Sequence, residues 1–308
     1  MKSFLPILLF VLAATLILLS SCDNNESGIV WEKITNTSGE SVIRLDEHNN
    51  IILAGFAEKS FKIVTKKAGS NSSVEISIPG ISVGVFDICL QGSQVFVVEG
   101  SNRIFVYDQT TNTWKKEEIL DLSVYRCIAD AKTGTVYSWS QNAIFRRQGQ
   151  NWSRLPLSES IVSIADLTID QQSALWVVTP EGAIYVFRDN WENVINIQRP
   201  SYKIYNVADS NFWIYSDNNL LFLSPKGISH TLEVKSGKIT ALIQDVFLIK
   251  DKEYWIFSTE SAWKFNGREF ISIDLPCRNC VLLDAEMEQE KFGIYLLTSK
   301  GLFYHQLK

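Results

Sequence analysis

Between Ile51 and Tyr304 the chain alternates short apolar runs with tight polar turns, and the order of runs repeats about every forty residues. The clearest copy is Leu175-Trp-Val-Val-Thr-Pro-Glu-Gly-Ala-Ile-Tyr-Val-Phe187: a β-type run, a turn and a second β-type run. Aligned on the bulky centre of the first run, the units fall at Ile52, Phe96, Tyr137, Trp176, Trp213, Trp255 and Tyr295, separated by 37 to 44 residues. A second run follows each centre, as at Phe61–Val64, Ile104–Tyr107, Ile184–Phe187 and Leu302–Tyr304, so every unit contains a hairpin. Upstream lies a more apolar segment, such as Val85–Cys89, Ile161–Ile164 or Ile239–Ile243, suited to a strand buried on both faces. Downstream, several units end in an aromatic-led run at Trp114, Trp152, Trp191 or Phe270.

Four short strands at this period are the pattern of a propeller blade. Seven units therefore predict an all-β fold, a single seven-bladed β-propeller of four-stranded blades over residues 29–308. The seventh unit ends at Gln306-Leu307-Lys308 without an aromatic-led run, while Val30–Ile34 is strand-like and belongs to no unit. The N-terminal strand is thus expected to complete the last blade, which closes the ring and removes an open sheet edge.

Composition adds a large core and removes nucleic acid from the partners. Apolar residues make up 46% and charged residues 20%, a balance that supports extensive burial. A net charge of -5 with no long run of Lys or Arg offers no basic field to attract a phosphate backbone.

The first residues carry an address. Lys2 precedes an apolar run from Phe4 to Leu19 that contains Pro6, too short for a comfortable membrane span and matching a secretory leader. Leu19-Ser20-Ser21-Cys22 resembles the lipobox of bacterial lipoproteins. That resemblance implies cleavage after residue 21, a lipid on the Cys22 sulfur, and location in the bacterial cell envelope, anchored in a membrane leaflet that is periplasmic or surface-facing. Residues 22–28, rich in Asp, Asn, Glu and Ser, are expected to be a flexible tether.

The segment Asp170-Gln-Gln-Ser-Ala-Leu-Trp176-Val-Val-Thr179-Pro-Glu-Gly182-Ala-Ile-Tyr185 resembles the repeats of two-component regulator propellers, with partial copies at Asp209–Trp213 and Tyr295–Tyr304. The resemblance implies the propeller fold over most of the chain. Members of that family fused to a membrane helix and a kinase act as sensor domains.

Candidate chemistry is sparse. His48, His230 and His305 share no metal-ligand spacing, and no nucleophile elbow, P-loop or dinucleotide motif is present, so neither a metal nor a cofactor is expected. Cys277-Arg-Asn-Cys280 reads first as a small structural disulfide, with redox chemistry as the alternative. Cys89 and Cys127 fall in inner strands of adjacent units and read as buried thiols. Asp46, Asp130, Asp170, Asp209 and Asp251 precede central strands, where Asp serves turns. Glu58, Glu99, Glu181, Asp217 and Glu260 fall in the turn after the central strand and read either as solvated turn residues or as a ring of acids around one mouth. On the same face, Arg199, Tyr202 and Arg278 are candidate binding residues. The expectation is a monomeric, non-enzymatic binding or scaffold module for an envelope protein or glycan. A carbohydrate hydrolase or lyase is the alternative, and it requires two carboxylates beside a deep pocket.

Overall fold

The computed structural model describes residues 29–308 apart from 47, 57, 68–69, 120–122, 209–210, 217–218, 225–226, 234–241, 251–252, 267, 289–291 and 308. The leader, Cys22, the tether and Asp217 therefore lie outside the described residues, as do Asp209 and Asp251.

The strands form seven four-stranded antiparallel sheets arranged as the blades of a propeller, with no helix among the described residues. Each blade starts at the central channel and runs outward through consecutive hairpins. The inner strands are Glu40–Leu45, Asp87–Gln91, Arg126–Ala129, Asp166–Ile169, Ser201–Ala208, Ile243–Lys250 and Leu282–Glu288, for blades one to seven. The outermost strand of blade seven is Glu32–Thr35, which pairs antiparallel with Gly301–Gln306.

The predicted centres all sit in second strands, where both faces are covered by neighbouring blades; Ile52, Phe96, Trp213, Trp255 and Tyr295 are at most 1% exposed. Seven apolar clusters result, one at each junction between successive blades. Each fully buried large side chain contributes about 1.5–3 kcal/mol from loss of apolar surface to water, so the junctions dominate stability.

Turn chemistry fixes the register of the hairpins. Asp170 Oδ1 accepts from the N–H groups of Gln172 and Ala174, and its Oδ2 accepts from Trp176 Nε1 at 2.8 Å. Asp46 and Asp130 close their turns in the same way. The acids ahead of the central strands are architecture where the structure describes them. The aromatic-led outer strands reach sideways: Trp152 Nε1 donates to Glu117, Trp191 Nε1 to the Pro156 carbonyl, and Trp31 Nε1 to the Asp274 carbonyl.

Candidate functional site

Because every inner strand enters the channel from the same face, its first residues form concentric rings. Pairing with the second strands places Asp87, Arg126, Asp166, Lys203, Asp245 and Asp284 at one equivalent register, with Val42 in the seventh position. Blade one supplies its charge one step deeper, at Arg44. The acids bind their neighbours' backbones. Asp284 accepts from Ile43 N–H, Asp87 from Cys127 N–H, Asp166 from Ile204 N–H and Asp245 from Ala285 N–H, at 3.0 to 3.3 Å. Four inter-blade seams are therefore latched by a carboxylate, which satisfies backbone donors facing a narrow channel.

Salt bridges join the ring. Arg44 lies 2.9 Å from Asp284 and 3.3 Å from Asp87, spanning blades seven, one and two. Lys203 Nζ donates to the Gln244 carbonyl. Arg126 is exposed and stands near Asp87 and Asp166. The channel opens into a cavity of about 590 Å³ with Arg44, Asp87, Arg126, Lys203, Asp245, Asp284 and Glu286 in its wall, within the size range of small-ligand sites.

Protonation is set by this crowding. Burial pushes the Asp245 carboxyl well above its usual range, and Asp284 and Glu286 push it further. Burial likewise raises Glu286 to about 7 despite the opposing pull of Arg44. Burial raises Asp87 and Asp166 against the attraction of Arg44, Lys203 and Arg126. For Arg44, burial opposes the charge, but the surrounding carboxylates outweigh it and hold the guanidinium protonated.

The rim is apolar. Phe56, in the turn after the second strand of blade one, packs edge-on against Phe86 at 4.8 Å, and Phe86 packs against Tyr125 at 5.6 Å. Phe86 and Tyr125 immediately precede Asp87 and Arg126, so the ladder lies directly above the charged ring. Phe56 is 61%, Leu242 59% and Tyr125 45% exposed, an unusual concentration of apolar surface on one mouth.

Among the acids expected at the mouth, none of Glu58, Glu99, Glu181 and Glu260 lines this cavity. Glu99 is not a mouth acid, because it is 0% exposed and committed to structure. Burial would raise it, but donors from Ser82, Ser101 and Val83 hold it down at about 2, with Arg103 at 2.6 Å. Glu58 and Glu181 are exposed turn residues. Glu260 and Arg278 share a groove between blades six and seven with Cys277 and Cys280, which are joined as a disulfide. Arg199 is exposed, and Tyr202 is 46% exposed with its ring against Tyr215. Cys89 and Cys127 are buried free thiols in the core between blades two and three. His48 lies in the Asp46 turn and His305 stacks on Trp255, while the His230 side chain lies outside the described residues. Sequence reasoning passed over the channel charges, although Asp87, Arg126, Asp166, Lys203, Asp245 and Asp284 recur at the blade period.

No protein-family model and no curated protein matches the sequence. Solved structures do match, at the level of fold. The chain is similar to a catalytically inactive virginiamycin B lyase from Staphylococcus aureus with quinupristin, at 12% identity and a TM-score of 0.75, covering 91% of this chain and 100% of that one. It is similar to YCF48 bound to D1 peptide, at 13% identity and a TM-score of 0.71, covering 91% and 95%. It is also similar to the extracellular domain of BT4673 from B. thetaiotaomicron, described as a one-component system, at 13% identity and a TM-score of 0.67, covering 90% of this chain and 41% of that one. At these identities the shared property is the propeller.

Proposed function

We propose that this chain is a lipid-anchored binding module of the bacterial cell envelope, and that it presents the aromatic rim of its channel to an envelope protein or glycan. The observation that carries the reading is the Phe56–Phe86–Tyr125 ladder, open to solvent across three blades at the edge of a charge-lined cavity. Anchorage rests on Leu19-Ser20-Ser21-Cys22 behind an apolar leader. Among the comparisons, YCF48 holds a peptide and BT4673 contributes an extracellular domain, both compatible with a propeller used for recognition.

Crosslinking in the native membrane tests the reading, with a Cys22→Ala chain as the unanchored control. A partner recovered at near-equal stoichiometry, and lost from a Phe56→Ser/Tyr125→Ala chain, supports the mouth as the binding site. Recovery that ignores both substitutions rejects it. Incorporation of labelled palmitate that persists in Cys22→Ala rejects the anchor.

A second reading draws on a separate observation: Asp245, Asp284 and Glu286 line one cavity, and Glu286 titrates near 7. A carboxylic acid beside carboxylates is the arrangement a carbohydrate hydrolase or lyase requires. Turnover of a polysaccharide panel that is abolished by Glu286→Gln supports this reading. The absence of turnover by the parent chain removes it.

A further inference from the structure

The inner ring alternates in sign except at one junction. Going round from blade two, Asp87, Arg126, Asp166, Lys203 and Asp245 alternate, and Arg44 on blade one separates Asp284 from Asp87. Between blades six and seven the ring holds no cation among the described residues: Asp245 and Asp284 are neighbours, and Glu286 adds a third carboxyl to the same wall. Neither Asp245 nor Glu286 forms an ion pair among the described residues. The rim above is suited to side chains rather than sugars. Phe56 meets Phe86 edge-on, so the ladder does not present a flat series of ring faces. Leu242 at the rim, and Val83, Val162 and Val281 in inter-blade segments of the same face, are exposed aliphatics with nothing to offer a hydroxyl.

We propose that the mouth takes a peptide segment whose apolar side chains lie on Phe56, Phe86, Tyr125 and Leu242, and whose adjacent Lys or Arg enters the channel between blades six and seven beside Asp245, Asp284 and Glu286. The inference rests on the reading of the mouth as a binding site and adds the chemistry of its occupant. The incoming ammonium or guanidinium completes the alternation of charge around the ring. Arg126 on blade three and Lys203 on blade five attract an acidic side chain only weakly, because both already face Asp166 and Lys203 faces Asp245 as well. Selectivity for a cation therefore comes from the junction where the ring's own cation is missing.

The test is selection of a random peptide library displayed on phage against the full chain held in lipid nanodiscs. The expected result is enrichment of peptides with Lys or Arg next to an aromatic or branched apolar residue. In the best peptide, Lys→norleucine weakens binding about tenfold, as for loss of a charge pair in an interface. An Asp245→Asn/Glu286→Gln chain no longer distinguishes the two peptides, while Phe56→Ser and Tyr125→Ala weaken both. The Asn at 245 keeps an acceptor for the Ala285 N–H, and the norleucine exchange tests the cation without altering the protein. Enriched peptides that are acidic or uncharged, yet sensitive to Phe56→Ser, overturn the cation and leave the mouth as a binding site. Peptides indifferent to both rim substitutions overturn the inference and the mouth together. If no peptide is enriched and a glycan array is bound through Tyr125, the peptide occupant is overturned and the binding module stands. No binding on either array overturns both.

Discussion

Glu99, after the second strand of blade two, and Glu286, in the inner strand of blade seven, are driven in opposite directions by their surroundings. Glu99 is saturated by donors from Ser82, Val83, Ser101 and Arg103, so its charged form is the stable one. Removing that carboxylate in Glu99→Ala leaves buried donors without an acceptor and is expected to cost about 3 kcal/mol in urea unfolding. Its contribution is present above the unfolded value of 4.5 and is lost as pH falls through about 2. Glu286 behaves in the reverse sense. Its carboxyl is raised to about 7, so between about 4.5 and 7 the folded chain keeps a proton that the unfolded chain has released. Stability from this group is complete below 4.5 and falls as pH rises through 7, by at most about 3 kcal/mol. The groups facing Glu286 are Arg44 and Asp284, with Asp245 beyond, so Glu286→Gln removes this fall without disturbing the Arg44 bridge. Urea midpoints at pH 5 and pH 7.5 check the point. The parent chain should lose more stability between them than Glu286→Gln, and equal losses would reject the assignment.

Each blade is a meander whose geometry is concentrated in its turns. In blade four, Gly182 sits at φ +88°, and a Cβ there would stand 2.2 Å from the Arg199 carbonyl oxygen and 2.8 Å from Ile197 Cγ1. Gly182→Ala combines a left-handed backbone with a backbone clash, and is expected to lower stability by about 2 kcal/mol or more. Gly149→Ala, also at positive φ but with nothing within 4 Å of the added atom, should cost less. Thermal unfolding of the two variants compares clash with strain. The blades were legible in the sequence because each second strand puts bulky apolar residues on both faces, and Trp213, Trp255 and Tyr295 announce it. The turn acids were legible too, since Asp170 ahead of Leu-Trp has one local use. The site was not. Its residues come from strands read as apolar throughout, and Asp245 meets Asp284 only after the ring has brought their blades together. What could have exposed them is the recurrence of a single charge at the start of otherwise apolar strands. Nor does the sequence separate Glu99 from Glu58: the two occupy equivalent segments of blades two and one, and only the Ser82 segment of the connection between those blades decides which is buried.

At the scale of the whole molecule, the ring is held closed at one seam by a strand borrowed from the far end of the chain. Glu32–Thr35 pairs with Gly301–Gln306, Trp31 Nε1 donates to the Asp274 carbonyl, and His305 Nδ1 lies 2.8 Å from the Val30 carbonyl. Ile29 is 3% exposed within the core between blades six and seven, against which Trp31 packs. Every other blade is continuous in sequence, so this seam alone carries the full loop-closure entropy of the chain. Weakening it frees two blade junctions at once, because blade seven touches both blade six and blade one. Trp31→Ala removes a half-buried indole and a hydrogen bond, worth about 2–3 kcal/mol. The loss should appear as faster hydrogen exchange in Leu282–Glu288, Gly293–Thr298 and Gly301–Gln306, with Trp176 and its blade following only at global unfolding. The same side chain in a continuous blade makes the control: Trp191→Ala also loses a single bond to a neighbouring carbonyl, but leaves both chain ends paired. If the two variants exchange alike, the seam is no weaker than any other junction. If Trp31→Ala opens blade seven selectively, ring closure is the weakest cooperative step, and a ligand bound to the Asp245, Asp284 and Glu286 wall would stabilise the molecule by bridging the blades on either side of that junction.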